Sequence, residues 1–308
     1  MSNPPNKYLV FDMSNVMHRN YYANKDEPSE LAAGLAAHSV LITMAKYYKM
    51  INPTKIICVF DRSSWRKEYT ASDQCLSKKP YKGNRRQNMT PGQQAKYASF
   101  KHHVKDFEQL ITDHTSVVTL AKDRLEADDL IAGIAQTYGN EDNEVVIISA
   151  DSDLLQLVRY KNVSVISPIT DKPQSLADYN GDPLYYLFQK EIRGDSSDNV
   201  ASAFPRVRST RIKAAYDDEY ERVKLMKETW TNENGTEFVV EDLIKENELL
   251  IDLEKQPADI RILIDNTITE EMARKRQFSM FHMLRFAGKY KLKKIQESID
   301  NYVHMLSR

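Results

Sequence analysis

The stretch Val145-Val-Ile-Ile-Ser-Ala-Asp151 is a short apolar run, rich in β-branched residues, that ends in an aspartate. Runs of this kind are typical of strands in a parallel sheet, because both faces of such a sheet are buried. Four more runs of the same character lie at residues 8–11, 56–60, 117–120 and 163–166. Helical patterns separate them, at residues 30–50, 92–111, 126–138 and 153–160. This alternation predicts an α/β fold with a mostly parallel central sheet flanked by helices.

The chain changes character after about residue 184, where the strand pattern fades. Charged and apolar residues then recur at helical spacing to the end, with a turn near residues 232–235. A chain of 308 residues also exceeds the roughly 250–300 residues at which a single core stops growing. We therefore predict an α/β core over residues 1–193 and a mainly helical second domain over residues 194–308.

Residues 62–92 form an insertion without clear periodicity, interrupted by proline and glycine. Long insertions of this kind inside a compact domain are usually functional or disordered. The net charge of the chain is −1, from 43 basic and 44 acidic residues, so overall charge does not indicate a nucleic-acid ligand. Basic residues nevertheless gather between Arg62 and Lys105, with few acidic residues among them. This segment either binds phosphates or is a solvated loop.

The composition narrows the class of protein. Two cysteines are too few for a disulfide framework, and the polar N-terminus lacks the apolar region of a signal peptide. No apolar stretch approaches the roughly 18 residues that a membrane span requires. We expect a soluble, cytoplasmic protein with no membrane segment.

Aspartates follow three of the predicted strands. They are Asp12, Asp61 and Asp151, and Asp153 comes two residues after the last of them. Ligand sites of parallel sheets form beyond the carboxyl ends of the strands, where these side chains would lie. Two further acidic groups occur in Leu125-Glu-Ala-Asp-Asp-Leu130 and Arg193-Gly-Asp-Ser-Ser-Asp-Asn199. Each group alone also has a structural explanation, as a helix N-cap, a partner of a helix dipole or a turn residue.

The acidic groups indicate a function when they are taken as a set. Carboxylates gathered at one sheet edge repel one another unless cations neutralise them. Oxygen ligands without histidine or cysteine suit Mg²⁺ or Mn²⁺ rather than zinc. A carboxylate-rich site with at least two cations is the arrangement used for in-line hydrolysis of phosphodiesters. The candidate metal ligands are Asp12, Asp61, Glu126, Asp128, Asp129, Asp151, Asp153, Asp195 and Asp198.

The order of these motifs resembles the 5′-nuclease (flap endonuclease) superfamily, which includes the 5′-nuclease domain of bacterial DNA polymerase I and the phage 5′-exonucleases. Between the second and third acidic motifs, Trp65-Arg-Lys-Glu-Tyr69 and Pro80-Tyr-Lys-Gly-Asn-Arg-Arg86 resemble the basic segment of that family. The resemblance covers about residues 8–215. Residues 206–209 and 278–289 are further similar to the ribonuclease H of T-even phages, which removes RNA primers. The fold that the resemblance implies is a PIN/FEN-like nuclease core with a helical C-terminal domain.

The resemblance implies two metal clusters, the first formed by Asp12, Asp61, Glu126, Asp128 and Asp129 and the second by Asp151, Asp153, Asp195 and Asp198. It implies two or more Mg²⁺ ions, for which Mn²⁺ can substitute. Asp12 and Asp151 are then catalytic residues. Lys82 and Arg85 are also implied to be catalytic, and they would face the scissile phosphate if their stretch folds as a helix.

Residues 62–92 would form an arch-like basic segment over the site, as in the family. Within it, Tyr81 either stacks on a splayed base, a contact worth roughly 1–3 kcal/mol, or takes part in hydrophobic packing. The residues implied to bind nucleic acid are Arg66, Lys67, Lys79, Tyr81, Lys82, Arg85, Arg86, Arg206, Arg208, Arg211 and Lys213.

The implied activity is that of a 5′-3′ exonuclease and flap endonuclease acting on the 5′ end of RNA–DNA hybrid or duplex DNA. The resemblance points to removal of RNA primers in phage-type DNA replication, by a monomer, with a single-strand-binding protein and a sliding clamp as partners. Two alternatives remain open at this stage. One is a module that binds branched DNA without cleaving it, and the other is a single-strand ribonuclease of the PIN type.

One segment departs from the family pattern. Most members have a glycine-rich helix-three-turn-helix after the last acidic motif, and its backbone binds duplex phosphates. Residues 201–211 contain no glycine, so we expect a backbone that cannot easily take positive φ or approach a phosphate closely. In this degenerate motif, the side chains of Arg206, Arg208, Arg211 and Lys213 either replace the backbone contacts or are solvent-facing helix charges.

Overall fold

The computed structural model describes residues 6–24, 26–85 and 89–308. It contains two compact units, each built from separate segments of the chain. We call them the sheet unit, which comprises Met1–Arg62, Met89–Gln174 and Leu263–Arg308, and the helical unit, which comprises Ser63–Asn88 and Ser175–Ile262. Within the described ranges, no helix is long and apolar enough to cross a membrane.

The division between the units differs from the predicted boundary at residue 193. The sequence pattern places residues 263–308 in the second domain, whereas Met283, Phe286 and Leu306 are buried in the core cluster of the sheet unit. Periodicity shows which face of a helix is buried, but it does not show which core that face joins. A segment that returns to the first core therefore cannot be recognised from its pattern.

The sheet unit is organised by one sheet, whose strands are β1 (Asn6–Asp12), β2 (Lys55–Val59), β3 (Val118–Leu120), β4 (Asn143–Ile148), β5 (Val163–Ser167) and β6 (Lys172–Pro173). Their order is β3-β2-β1-β4-β5-β6, and all neighbours are parallel except β5 and β6. Val10 of β1 lies opposite Ile57 of β2 and Ile147 of β4. Strands β2 and β3 lie on one side of β1 in the sheet, and the chain then crosses to the other side, where β4 pairs with β1. Such a reversal opens a crevice at the carboxyl ends of these two strands.

The helices are α1 (Met13–Tyr22), α2 (Ser29–Ile51), α3 (Trp65–Ala71), α4 (Pro91–His114), α5 (Ala127–Tyr138), α6 (Pro183–Arg193), α7 (Ser209–Asp217), α8 (Glu219–Met226), α9 (Val240–Ile251), α10 (Ala258–Ala273), α11 (Met280–Lys289), α12 (Lys293–Glu297) and α13 (Asp300–Leu306). Leu9 and Phe11 of β1 pack in one cluster with residues of α1, α2, α4 and α11. Side chains alternate along a strand, so Val10 faces the opposite side, where α5 contacts the sheet. The predicted α/β fold with a mostly parallel sheet flanked by helices is confirmed.

In the helical unit, α6, α7 and α9 share an apolar cluster that includes Ile192, Ile212, Leu243 and Ile244. This unit also contains an antiparallel hairpin, β7 (Thr229–Thr231) and β8 (Glu237–Val239), around the turn predicted at residues 232–235. The sequence predicts only helices and that turn here. Strands of three residues are too short to show the alternation that marks a strand.

Two local predictions need correction, and one helix has no counterpart among the predicted elements. The insertion at residues 62–92 is not without regular structure, because α3 lies inside it. Residues 153–160 form a 3-10 helix, Ser152–Arg159, rather than an α-helix. Helix α1 was not predicted, although it begins directly after β1 and buries Val16 and Met17. Its many polar residues make the apolar face that packs in the core difficult to recognise in the sequence.

Candidate metal and nucleic-acid site

Asp12 lies at the carboxyl end of β1 and is also the N-cap of α1. One carboxylate oxygen accepts a hydrogen bond from the backbone N–H of Asn15 at 3.0 Å, and the other accepts one from the hydroxyl of Ser149 at 2.7 Å. Asp12 is only 4% exposed, and no basic side chain in the described part of the chain pairs with it. The described partners of this buried carboxylate are thus two neutral donors.

The electrostatic surroundings of Asp12 disfavour its charge. Burial raises the pKa of this carboxyl to about 7, and the charges of Asp61 and Asp151 contribute to the rise. The hydrogen bonds from Asn15 and Ser149 act in the opposite direction without cancelling it. Asp61 and Asp151 are therefore both close enough to Asp12 to repel its charge, as expected for residues at the carboxyl ends of neighbouring parallel strands.

The other acidic residues of the sheet unit join neighbouring elements. The carboxylate of Asp61 accepts from the backbone N–H of Ala127 at 2.7 Å, and its own N–H donates to the hydroxyl of Ser14 at 3.0 Å. Asp129 is buried and accepts from the backbone N–H of Glu126 at 3.1 Å, which forms part of a capping box at the start of α5. Asp128 is half-buried in the same turn. The end of β2 is thus connected to the first turn of α5.

Asp151 follows β4 and caps the 3-10 helix by accepting from the N–H of Asp153 at 2.9 Å. Its own N–H donates to the hydroxyl of Ser149 at 3.0 Å, so the same serine contacts both Asp12 and Asp151. The side-chain amide of Gln174 donates to the backbone carbonyls of Ser149 and Asp151, at 2.9 and 3.2 Å. These contacts fix the short segment that follows β4.

No group of three or more His, Cys, Asp or Glu side chains stands in metal-coordinating arrangement among the residues that the structure describes. Several carboxylate oxygens accept instead from backbone N–H groups, as the N-cap explanation of Asp12 and Asp151 anticipates. The donor set nevertheless fits a hard divalent cation. Mg²⁺ keeps several of its waters, so carboxylates can bind it through water without converging on it directly.

The acidic residues of the helical unit lie on a segment that we call the acid loop, residues 194–201. It begins with Gly194 at φ +69°, where an added Cβ would come within 2.3 Å of the carbonyl oxygen of Ala201. The backbones of Asp195 and Val200 exchange two hydrogen bonds, of 3.2 and 2.7 Å, which close the loop. Only glycine fits the first position, because both its φ and the close approach exclude a side chain.

Asp195 is surrounded by donors, in contrast to Asp12. Its carboxylate accepts from the ammonium group of Lys190 at 2.7 Å and from the hydroxyl and N–H of Ser197 at 2.6 and 2.7 Å. Burial alone would raise the pKa of Asp195. The hydrogen bonds from Lys190 and Ser197 outweigh burial and lower this pKa to about 2.

Asp198 connects the acid loop to the basic segment. Its carboxylate accepts from the hydroxyl of Tyr81 at 2.6 Å and forms ion pairs with Lys82, at 3.4 Å, and with Arg85. The stretch that holds these three residues forms successive turns rather than a helix, and Lys82 takes φ +55°. The helix that would turn Lys82 and Arg85 to one face is absent from this described stretch, yet both reach the same carboxylate.

Comparison with known proteins places these motifs in a family. Residues 7–181 match the family described as 5′-3′ exonuclease, N-terminal resolvase-like domain. The chain belongs to this family. It is 25% identical over 278 residues to ribonuclease H of Enterobacteria phage T4, covering 83% of this chain and 84% of that one. It is 29% identical over 206 residues to DNA polymerase I of Mycobacterium leprae, a match to 62% of this chain that spans only 20% of the polymerase.

Solved structures share the exonuclease-family fold. The flap endonuclease of bacteriophage T5, solved as a pseudo-enzyme-product complex with DNA and metal ions, has a TM-score of 0.65 at 21% identity, covering 87% of this chain and all of that one. The T5 5′-exonuclease with bound zinc also has a TM-score of 0.65, at 22% identity, and covers 86% of this chain and 99% of that one. At such identity, the likeness establishes the fold alone.

Some residues implied to bind nucleic acid are placed differently by the structure. Arg66 is 2% exposed, donates to the carbonyl of Leu250 at 2.8 Å and lies over the ring of Trp65, so it is an internal residue and not a surface contact. Tyr81 is buried as well, and it packs with Leu187 and Leu250. Of its two predicted roles, hydrophobic packing is therefore the one present, because the ring has no open face for a base.

The remaining predicted contacts divide into two groups. Arg211 forms ion pairs with Glu228, and Lys213 forms one with Asp217 four residues later. For these two residues, the ion pairs favour the alternative in which they are helix charges and do not replace backbone contacts to phosphate. The exposed positions are Lys67, Lys79, Arg206 and Arg208, and Arg86 lies outside the described residues.

The glycine-free stretch, residues 201–211, takes positive φ at Arg206, although we expect such a stretch not to do so easily. The expectation that its backbone cannot approach a phosphate closely stays a prediction. Asn199 and Arg206 both take φ +60° within or beside the glycine-free stretch. Asparagine tolerates this conformation, but an arginine there costs about 1–2 kcal/mol. The segment thus adopts left-handed positions despite its composition.

Several residues that support the site carry only a weak sequence signal. Ser149 lies two positions before Asp151, and Asn15 lies three positions after Asp12, where a cap partner is expected. Gln174 is 25 and 23 residues from Ser149 and Asp151, whose carbonyls it contacts, and Lys190 lies outside the acidic motifs although it is only 5 positions before Asp195. No sequence pattern identifies either residue. Their roles depend on how the chain folds back.

Proposed function

We propose that this protein is a divalent-metal-dependent 5′-nuclease that hydrolyses phosphodiester bonds from the 5′ end of RNA–DNA hybrid or duplex DNA. The observation that carries the proposal is the environment of Asp12. This carboxylate is buried, lies near the charges of Asp61 and Asp151, and has neutral hydrogen-bond donors as its described partners. Negative charges crowded in this way favour a bound cation.

The proposed metal ligands of the sheet unit are Asp12, Asp61, Glu126, Asp128, Asp129, Asp151 and Asp153, and those of the helical unit are Asp195 and Asp198. We propose two or more Mg²⁺ ions, with Mn²⁺ able to substitute. Bound ions of this type lower the pKa of a water and stabilise charge on the attacking and leaving oxygens. In the proposal, Ser149 and Asn15 hold the Asp12 carboxylate in its orientation. Asp61 and Asp151 add their own negative charges near it.

Lys82 and Arg85 are proposed to bind the scissile phosphate. Both side chains pair with the carboxylate of Asp198, an anion whose charged oxygens resemble those of a phosphate. A substrate phosphate would therefore compete with Asp198 for these cations. The exposed Lys67, Lys79, Arg206 and Arg208 are proposed to extend the phosphate contacts, which makes binding weaken steeply with salt.

The biological role follows from the relatives and is part of the proposal. One relative is named ribonuclease H and another is a flap endonuclease, so we propose removal of RNA primers in phage-type DNA replication. A monomer that works beside a single-strand-binding protein and a sliding clamp would suit this role.

The test is cleavage of a 5′-labelled RNA–DNA hybrid and a 5′-flap duplex, in Mg²⁺ and in EDTA, with Asp151→Asn as the inactive variant. We expect short 5′ products that require both the metal and Asp151, while Asp151→Asn still binds the flap. The ratio of cleavage between the two substrates would identify the preferred one. Binding without any cleavage by the unchanged protein would refute the nuclease and favour a module that binds branched DNA.

A further inference from the structure

Helix α9 carries two consecutive buried polar residues, Glu246 and Asn247, which are 3% and 0% exposed. Burying a carboxylate or an amide costs free energy unless hydrogen bonds compensate for the lost water. The other buried residues of α9 are all apolar, namely Val240, Leu243, Ile244, Leu250 and Ile251, so a carboxylate and an amide are exceptions on its buried side. The partners of the two side chains therefore indicate what they do.

The amide of Asn247 connects the end of the acid loop to the helix α6 that precedes the loop. Its nitrogen donates to the carbonyl of Glu191, in the last turn of α6, at 2.7 Å, and to the carbonyl of Ala201 at 2.8 Å. Two carbonyl acceptors require the NH₂ side of the amide, so the orientation of the group follows from its partners. One side chain thus closes the segment that carries Asp195 and Asp198.

The carboxylate of Glu246 holds the basic segment. It accepts from the backbone N–H of Ser77 at 3.1 Å and from the backbone N–H of Leu76. Hydrogen bonds from N–H groups to an ionised carboxylate are about twice as strong as neutral ones. Leu76 and Ser77 come shortly before Tyr81 and Lys82 in the sequence. Glu246 therefore fixes the backbone that leads into the residues in contact with Asp198.

The two anchored segments meet at Asp198. The backbone N–H of Lys82 donates to the carbonyl of Asp198 at 2.7 Å, and the side chain of Asn199 donates to the carbonyl of Pro80 at 2.9 Å. Helix α9 is therefore a common support for an acidic segment and a basic segment that are far apart in sequence. A helix is a more rigid support than either loop could be for the other.

We propose that Glu246 and Asn247 are positioning residues of the nuclease, which hold the acid loop and the basic segment so that Asp195 and Asp198 can bind a divalent ion beside Lys82 and Arg85. This inference rests on the proposed function. It assigns to neither residue a contact with substrate or metal. Loss of either anchor lets one segment move, which weakens ion binding and slows the chemical step while the exposed phosphate contacts stay in place.

The test compares Glu246→Ala, Glu246→Gln and Asn247→Ala with the unchanged protein. Mn²⁺ binding without substrate is measured by electron paramagnetic resonance, and kcat and KM are measured on the 5′-flap duplex. We expect Glu246→Ala and Asn247→Ala to weaken one class of Mn²⁺ site about tenfold and to lower kcat by a similar factor, with KM within about twofold. Glu246→Gln keeps one accepting oxygen and should recover part of both losses.

Two control variants on the same helix separate positioning from stability and charge. Ile244→Val removes a buried methylene group near the anchors, and Glu241→Gln removes a half-exposed charge that pairs with Lys245. Both should keep the Mn²⁺ affinity and kcat of the unchanged protein. If Glu246→Ala or Asn247→Ala does not fold, Glu246→Gln, which preserves size and one acceptor, carries the test.

The inference is overturned if the folded anchor variants lose only thermal stability, as Ile244→Val does, and retain unchanged Mn²⁺ affinity and kcat. It is also overturned if Glu246→Gln shows no loss in either quantity while it remains folded. A failure of the proposed function looks different, because the unchanged protein would then show no metal-dependent cleavage at all.

Discussion

Asp12 in the sheet unit and Asp195 in the helical unit are both partly or fully buried aspartates of the acidic motifs, but their surroundings shift the pKa in opposite directions. Burial and the charges of Asp61 and Asp151 raise the pKa of Asp12 to about 7. Hydrogen bonds from Lys190 and Ser197 overcome burial and lower the pKa of Asp195 to about 2. The two carboxylates differ in the groups that offset the cost of burying their charge. Asp12 accepts hydrogen bonds from neutral donors, whereas Asp195 also pairs with a lysine of the same unit.

The comparison shows two different surroundings in which a carboxylate could bind a metal ion. At Asp12, a divalent ion would relieve repulsion that the described residues leave in place. At Asp195 and Asp198, an ion would have to compete with Lys190, Lys82 and Arg85 for the same oxygens. We therefore expect the two acidic regions to differ in how strongly they bind ions and in how they respond to substitution.

The largest effect is expected for Asp12→Asn. Asparagine preserves the N-cap of α1, so the fold should be retained, while the charge that favours a cation is lost. We expect the single-turnover cleavage rate in Mg²⁺ to fall roughly a hundredfold to a thousandfold. Glu141→Gln, which neutralises an exposed partner of Lys161, is the matched control and should cleave normally. Normal cleavage by Asp12→Asn would remove this residue from the site.

A smaller effect is expected for Lys82→Ala in the helical unit. If Lys82 stabilises charge on the scissile phosphate, the cleavage rate should fall about ten- to a hundredfold while the dissociation constant for the flap duplex changes less than about threefold. The exposed Lys79, in the same segment, provides the contrast: Lys79→Ala should weaken binding and leave the rate of bound substrate unchanged. Equal effects on affinity in both variants would reduce Lys82 to an ordinary phosphate contact.

The pKa of Asp12 predicts how stability depends on pH. Because the folded pKa of about 7 lies above the unfolded value of 3.8, the folded state binds more protons between these values, and its stability falls as the pH rises from about 4 to about 7. The loss should be on the order of 4 kcal/mol in EDTA and should shrink when Mg²⁺ is added. Denaturant unfolding across this range measures it. Asp12→Asn should lack this slope, and an equal slope in that variant would contradict the assignment.

The smallest effect is expected for Lys190→Met. This change removes the cation that pairs with Asp195 and keeps most of the apolar stem. The pKa of Asp195 should return towards its ordinary value, and Mn²⁺ should bind a few-fold more tightly, since the ammonium group that competes for the Asp195 oxygens is gone. Weaker Mn²⁺ binding would show instead that Lys190 orients Asp195 for the ion. Titration with Mn²⁺ at neutral pH distinguishes the two results.

Much of the sheet unit could be predicted from the sequence. Each apolar run corresponds to a strand within about two residues, Asp12 is the last residue of β1, and Asp61 and Asp151 lie just beyond the carboxyl ends of β2 and β4. The prediction succeeds because strand periodicity and parallel topology are properties of short segments, and a parallel sheet brings all its carboxyl ends to one edge. The hairpin β7–β8 and helix α3 were missed because short elements show too little periodicity.

The sequence by itself determined the fold class, the family motifs and the identity of the acidic residues, since all of these are written in local patterns. Only the tertiary structure decided that no basic side chain among the described residues pairs with Asp12 while Lys190 pairs with Asp195, and that Arg66 is internal. It alone shows that Glu246 and Asn247 hold segments up to 170 residues away. The physical reason is that a buried charged or polar group is stabilised by the side chains that contact it after folding. The local sequence around such a group does not show which distant residues these will be.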